Sequence, residues 1–122
     1  MKKLIIGFLS LVSISTFANT LSCSGFDSTG GSSKLISLTM SLATDHNVGG
    51  TSAEIKFISA DGRFDIEVLA RTYGNPDKGD IAVYVTDNTS GAVQSSMFNS
   101  RFASIGLNTQ KRLPLSLECR IK

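Results

Sequence analysis

Hydrophobic and polar residues alternate along most of this chain with a period of two. In KLISLTMSLA, Ile36, Leu38, Met40 and Leu42 share one parity while Ser37, Thr39 and Ser41 share the other. That is the mark of a strand with one face toward a core and one toward water. AEIKFIS repeats it, with Ala53, Ile55 and Phe57 against Glu54 and Lys56. FDIEVLARTY sets Phe64, Ile66, Val68 and Ala70 against Asp65, Glu67, Leu69 and Arg71, and DIAVYVT turns Ile81, Val83 and Val85 inward. The last run, LPLSLECRI, aligns Leu113, Leu115, Leu117, Cys119 and Ile121. AVQSSMF and RFASIGL read as weaker strands, and a short strand is expected around Leu21 to Cys23. Helical periodicity is hard to find after the first 18 residues.

Turn signals separate these runs. ADGR, residues 60–63, places Asp-Gly between two alternating segments, a strong hairpin cue. YGNPDKGD and DNTSGA suit the next two hairpins. Pro114 near the start of the final run fits an edge strand or a strand's first position, where no ladder N–H is lost. The spacing predicts an all-β domain, an antiparallel β-sandwich of about seven to eight strands. Connections at 25–34 and 43–53 look long enough for crossovers between sheets. The alternative is a small closed up-and-down barrel, if the hairpins form one meander with joined ends. An outer-membrane barrel ranks lower: several strands fall short of the roughly 9 to 11 residues such barrels use, and the chain has no tryptophan for an interfacial girdle.

The first 18 residues follow a different grammar. Two lysines, the apolar run LIIGFLSLVSIS, then small residues around Thr16 and Ala18 match a secretory signal peptide cut after Ala18. The run is shorter than the roughly 20 residues of a membrane-spanning helix, so the mature chain is not expected to span a membrane. Residues 19–122 then form a single domain, periplasmic or secreted. The leader carries the whole excess of positive charge, in Lys2 and Lys3, and the remainder balances ten basic residues against ten acidic ones. A formally neutral domain offers no electrostatic footprint for nucleic acid. Arg101, Lys111, Arg112, Arg120 and Lys122 make the C-terminal third mildly basic, which a solvated surface gradient explains.

The only two cysteines, Cys23 and Cys119, stand 96 positions apart. In an exported protein a lone pair most simply forms one disulfide. Cys119 shares the parity of the core leucines, which points its sulfur inward. Lipidation of Cys23 competes with this reading, but Leu21 stands one position too close to the cysteine and Cys119 would be left unpaired. A bridge requires the two Cα atoms to lie within about 7 Å, so the first and last strands must be neighbours or face each other.

Candidate chemistry is thin. The single histidine, His46, lies between Asp45 and Asn47 in a polar loop. An Asp-His pair can serve a hydrolase, yet no nucleophile elbow accompanies it. Asn75, Asp77, Asp80 and Asp87 supply oxygen ligands in loops, as calcium requires, although the EF-hand spacing is absent and turns favour the same residues. SGFDSTGGSS lacks the Gly-Lys-Ser/Thr ending of a phosphate loop and reads as a flexible loop. Asn88-Thr89-Ser90 is a formal glycosylation acceptor. Tyr73 and Tyr84 fall on the outward parity of their strands. No cofactor is implied. The expectation is a non-enzymatic binding module of the bacterial cell envelope, recognising a protein or surface polymer through its loops. A barrel carrying a small apolar ligand is the alternative, and a hydrolase using His46 the third reading. Partner and oligomeric state are not legible.

Overall fold

The computed structural model describes residues 19–47, 49–73, 78–109 and 112–122, without the side chains of residues 108–109 and 112–114. The expected leader, residues 1–18, and its expected cleavage point lie outside these residues. Among the described residues every regular element is a strand: β1 (Thr20–Asp27), β2 (Lys34–Ser41), β3 (Ala43–Asp45), β4 (Gly50–Ile58), β5 (Phe64–Thr72), β6 (Asp80–Asp87), β7 (Val93–Phe98), β8 (Phe102–Thr109) and β9 (Arg112–Ile121). They form two antiparallel sheets, ordered β2-β1-β9-β8 and β3-β4-β5-β6-β7. The chain is a β-sandwich. The ninth strand is β3, three residues continuing from β2 into the second sheet, too short to register as alternation.

The connectivity differs from expectation. Consecutive strands pair within each sheet, and β9 returns to lie beside β1, so the sheets are joined by steps at β2–β3 and β7–β8 rather than by crossovers. The predicted loop at 25–34 is shorter because β1 runs on to Asp27 and pairs with both β2 and β9. The path is that of a meander with joined ends, but it does not close into a barrel, since β7 and β8 belong to different sheets. Chemistry supports the open seam: the inward parity of β7 carries Gln94 and Ser96, both exposed, and sealing it would bury an amide without a built partner.

The core is where alternation was cleanest. Phe64, Ile66, Val68 and Ala70 of β5 are buried, facing Ile81, Val83 and Val85 of β6 across the ladder and Leu115, Leu117 and Ile121 from the other sheet. Each of these larger side chains contributes about 1.5 to 3 kcal/mol of hydrophobic stabilisation. On β2, Met40 has the inward parity yet remains 47% exposed, because β2 is the outer strand of its sheet. β9 is a central strand with Pro114 at its third position, so neither the edge strand nor the first position expected for that proline is found. The proline is accommodated because β1 stops pairing at Leu115 and the ladder to β8 shifts register between Leu107 and Thr109.

Cys23 and Cys119 sit directly opposite each other on β1 and β9, their Cα atoms 4.1 Å apart, joined as a disulfide and almost fully buried. The pair is compatible with an oxidising, extracytoplasmic setting. Among the described residues, no helix is long and apolar enough to cross a membrane.

Candidate functional site

The alternating strand directions sort the connections. Segments 28–33, 59–63 and 88–92 emerge at one end of the sandwich, here the loop end. His46 and Asn47 after β3, the turn at 99–101, Asn19 and Lys122 lie at the other, the terminal end.

The three loop-end segments are tied to one another. Asp27 closes β1 with a buried carboxylate. Its Oδ1 accepts the Thr29 N–H (2.9 Å) and hydroxyl (2.6 Å), and its Oδ2 accepts the Ala60 N–H (2.7 Å) from the β4–β5 hairpin. The Thr29 hydroxyl oxygen in turn accepts the Asp61 N–H at 3.2 Å. Within that hairpin, Ser59 donates to Asp61 Oδ1 and accepts the Phe64 N–H, while Arg63 N–H also reaches Asp61. These donors, the Ser59 hydroxyl foremost, hold the Asp61 carboxyl below its ordinary value. Gly62 adopts φ +76°, a conformation the tight turn demands and glycine supplies without strain.

The β6–β7 turn docks on the same hairpin. Asn88 N–H donates to the Arg63 carbonyl (2.7 Å), and its side-chain amide donates to Gly62 O (3.2 Å) and Asp65 Oδ1 (2.9 Å). Arg63 forms a two-pronged ion pair with Asp87, at 3.3 and 3.0 Å. That pair, assisted by the Thr89 N–H, pulls the Asp87 carboxyl down to about 2. Beside this junction, at the open seam between β7 and β8, lies a cleft of about 520 Å³. Phe64, Val85 and Leu107 give it an apolar floor, and Arg63, Asp87 and Gln94 a polar lip. Such a hollow accepts an apolar group flanked by hydrogen-bonding partners.

Of the residues singled out in the sequence, the described ones fall at separate places in the sandwich. Asp45 and Asn47 form a local turn at the terminal end, with Asp45 Oδ1 accepting the Asn47 N–H and Oδ2 the Ser52 hydroxyl. His46 is exposed at the tip of that hairpin. Asp80 opens β6 opposite Arg71, and Asp87 ends it at the far end of the sandwich. Asn75 and Asp77 lie outside the described residues. Among the described residues, no group of three or more His, Cys, Asp or Glu side chains is arranged to hold a metal ion. Tyr84 stands opposite Glu67, six residues along β5 from Tyr73. At about 3.4 Å per residue that is roughly 20 Å, so the two tyrosines do not make one face.

Asp27, Thr29 and Arg63 were not singled out, and Asn88 only as a formal glycosylation acceptor. Their local signal was present: Asp-x-Thr at 27–29 and again at 87–89 marks a strand end whose carboxylate accepts the N–H two residues on. What the sequence did not show is that these turns grip one another across 26 to 33 positions. Comparison with protein-family models, curated proteins and solved structures gives no match. The class is therefore defined by the fold alone: a disulfide-closed, two-sheet antiparallel sandwich with preorganised loops at one end.

Proposed function

We propose that this chain is an exported, non-enzymatic interaction module of the bacterial cell envelope, recognising a protein or surface polymer through its loop end. The observation carrying this reading is the cross-bonding of three separate connections by Asp27, Arg63 and Asn88. Loops held in one arrangement before contact lose little conformational freedom on binding, which leaves more of the interaction energy as affinity. The cleft beside them receives an apolar anchor from the partner, with Arg63, Asp87 and Gln94 fixing its polar surroundings.

Site-specific photocrosslinking in intact cells tests the assignment. A photoreactive side chain at Ser90, on the loop end, is expected to give a discrete adduct with an envelope component, and the same group at His46 is not. Adducts from His46 alone, or equally from both positions, would move recognition away from the loop end.

A further inference from the structure

Sheet edges expose unpaired main-chain groups and are normally blunted by shortness, charge, proline or a bulge. β3 is three residues long and carries Asp45. β2 opens on Lys34. β8 is broken by its register shift near Leu107. β7, with the sequence VQSSMF, has none of these devices. It holds no charge and no proline, and it pairs with β6 through an unbroken register from Ile81↔Phe98 to Thr86↔Val93. All but Phe98 are exposed, Val93 at 63% and Met97 at 53%. Among the described residues, β6 is its only ladder partner.

The ladder fixes which groups are unpaired. Asp87 N–H donates to the Ala92 carbonyl at 2.8 Å, which makes 87 and 92 a hydrogen-bonded pair. Alternation along an antiparallel ladder then directs the main-chain groups of Gln94, Ser96 and Phe98 toward β6, and those of Val93, Ser95 and Met97 toward the free edge. We propose that this edge pairs with β7 of a second copy of the chain, antiparallel about a two-fold axis at Ser95.

Only a register in which edge-facing residues meet one another forms these bonds, and the one centred on Ser95 uses all three. Ser95 faces its own copy, Val93 faces the partner's Met97 and Met97 the partner's Val93. Each pair exchanges two hydrogen bonds, so about six form. The same register is chemically self-complementary. On the outer face Val93 meets Met97, and on the inner face Gln94 meets Ser96, so apolar lies against apolar and polar against polar. No like charges are brought together, as they would be in pairing β3 through Asp45. The two second sheets become one ten-stranded sheet, and the two loop ends point in opposite directions. Pairing therefore leaves the three cross-bonded connections of the proposed recognition end accessible, while it engages Val93 and Gln94, which also line the cleft beside them.

An edge contact of this length is smaller than a standard interface, so association is weak and concentration-dependent. Sedimentation velocity of the exported protein from about 10 μM to about 1 mM covers that regime. Wild type is expected to pass from monomer to dimer. Ser95→Lys and Ser95→Glu each set like charges opposite one another, and each should shift the midpoint upward at least about tenfold. An equimolar mixture of the two should restore association, because only at the two-fold axis does residue 95 meet itself. A wild type that stays monomeric throughout, or folded charge variants whose mixture fails to recover, overturns the proposal. Should a charge variant fail to fold, Ser95→Pro removes only an N–H pointing away from β6. Undiminished association of Ser95→Pro would equally overturn it.

Discussion

The two ends of this sandwich are held by different means. At the loop end, side chains bond to the main chain of other loops: Asp27 to Ala60, Asn88 to Gly62 and Thr29 to Asp61. At the terminal end, the chain's own extremities are clasped. Thr20 and Lys122 exchange main-chain hydrogen bonds of 3.0 and 2.8 Å, and Asn19 accepts from Leu42 N–H and the Arg101 guanidinium. The disulfide lies three residues in from Thr20. The His46 hairpin at this end is pinned by contacts to Asp45 that stay within seven residues. The contrast separates two tasks. Closure of the chain supplies stability at one end, and preorganised polar loops supply a surface at the other.

The largest expected effect breaks the clasp. Replacing both Cys23 and Cys119 by alanine opens a loop of 96 residues, worth about 4 to 5 kcal/mol in the chain-entropy model. Denaturant unfolding should register a loss of that order, which is a large fraction of a domain's usual 5 to 15 kcal/mol or so. Hydrogen exchange should localise it: protection at residues 20–23 and 119–122 falls first, while Ala60 and Asn88 keep theirs as long as the domain stays folded. Equal loss at both ends would mean that the ends are one cooperative unit.

Next comes the carboxylate that ties β1 to the β4–β5 hairpin. Asp27→Ala leaves the Ala60 N–H without its acceptor and removes both bonds to Thr29. Losing bonds to a charged group and orphaning a donor costs about 2 to 3 kcal/mol. Exchange at Ala60 and Asp61 should accelerate, with Thr20 and Lys122 unchanged. Faster exchange at the terminal end as well would dissolve the distinction between the two.

How much of this was legible follows from the physics of each signal. Alternation reports burial, so the inward residues of β5 and β6 were readable, though Ala82 on the outward parity is buried as well, and the inward parity of Cys119 located its sulfur. Edges are harder, because parity says which way a side chain points and not whether a second sheet covers it. Met40 has the right parity and lies 47% exposed. Glycine misled in one place. Gly25 was read as part of a flexible loop, yet it sits in β1, where a Cβ would collide with the Ser116 carbonyl of β9. Close approach and turn formation select the same residue. The loop-end network was invisible for a different reason: each Asx turn is local and readable, whereas docking one turn on another depends on strand order.

The smallest effect is a pH response, and it sharpens the comparison because each end carries a depressed carboxyl. Asp87 is held at about 2 against an ordinary 3.8, chiefly by Arg63. Asp45 is also lowered, chiefly by the Ser52 hydroxyl seven residues on. A carboxyl depressed on folding favours the folded state while ionised. For Asp87 that contribution is therefore complete above about pH 4 and is lost as pH falls toward 2. Protonating Asp87 releases Arg63 from the lip of the cleft, so NMR signals of Arg63, Asn88 and Gln94 should move together with a midpoint near 2. Protonating Asp45 touches only its own hairpin, and signals from 45–47 and Ser52 should follow a separate curve. In Asp87→Asn the first set should lose the Asp87 step, leaving at Arg63 only the response of Asp61, which accepts its N–H, while the second set is unaltered. A single shared curve would show the carboxyls to be coupled through the sandwich, and the two ends would then answer acid as one.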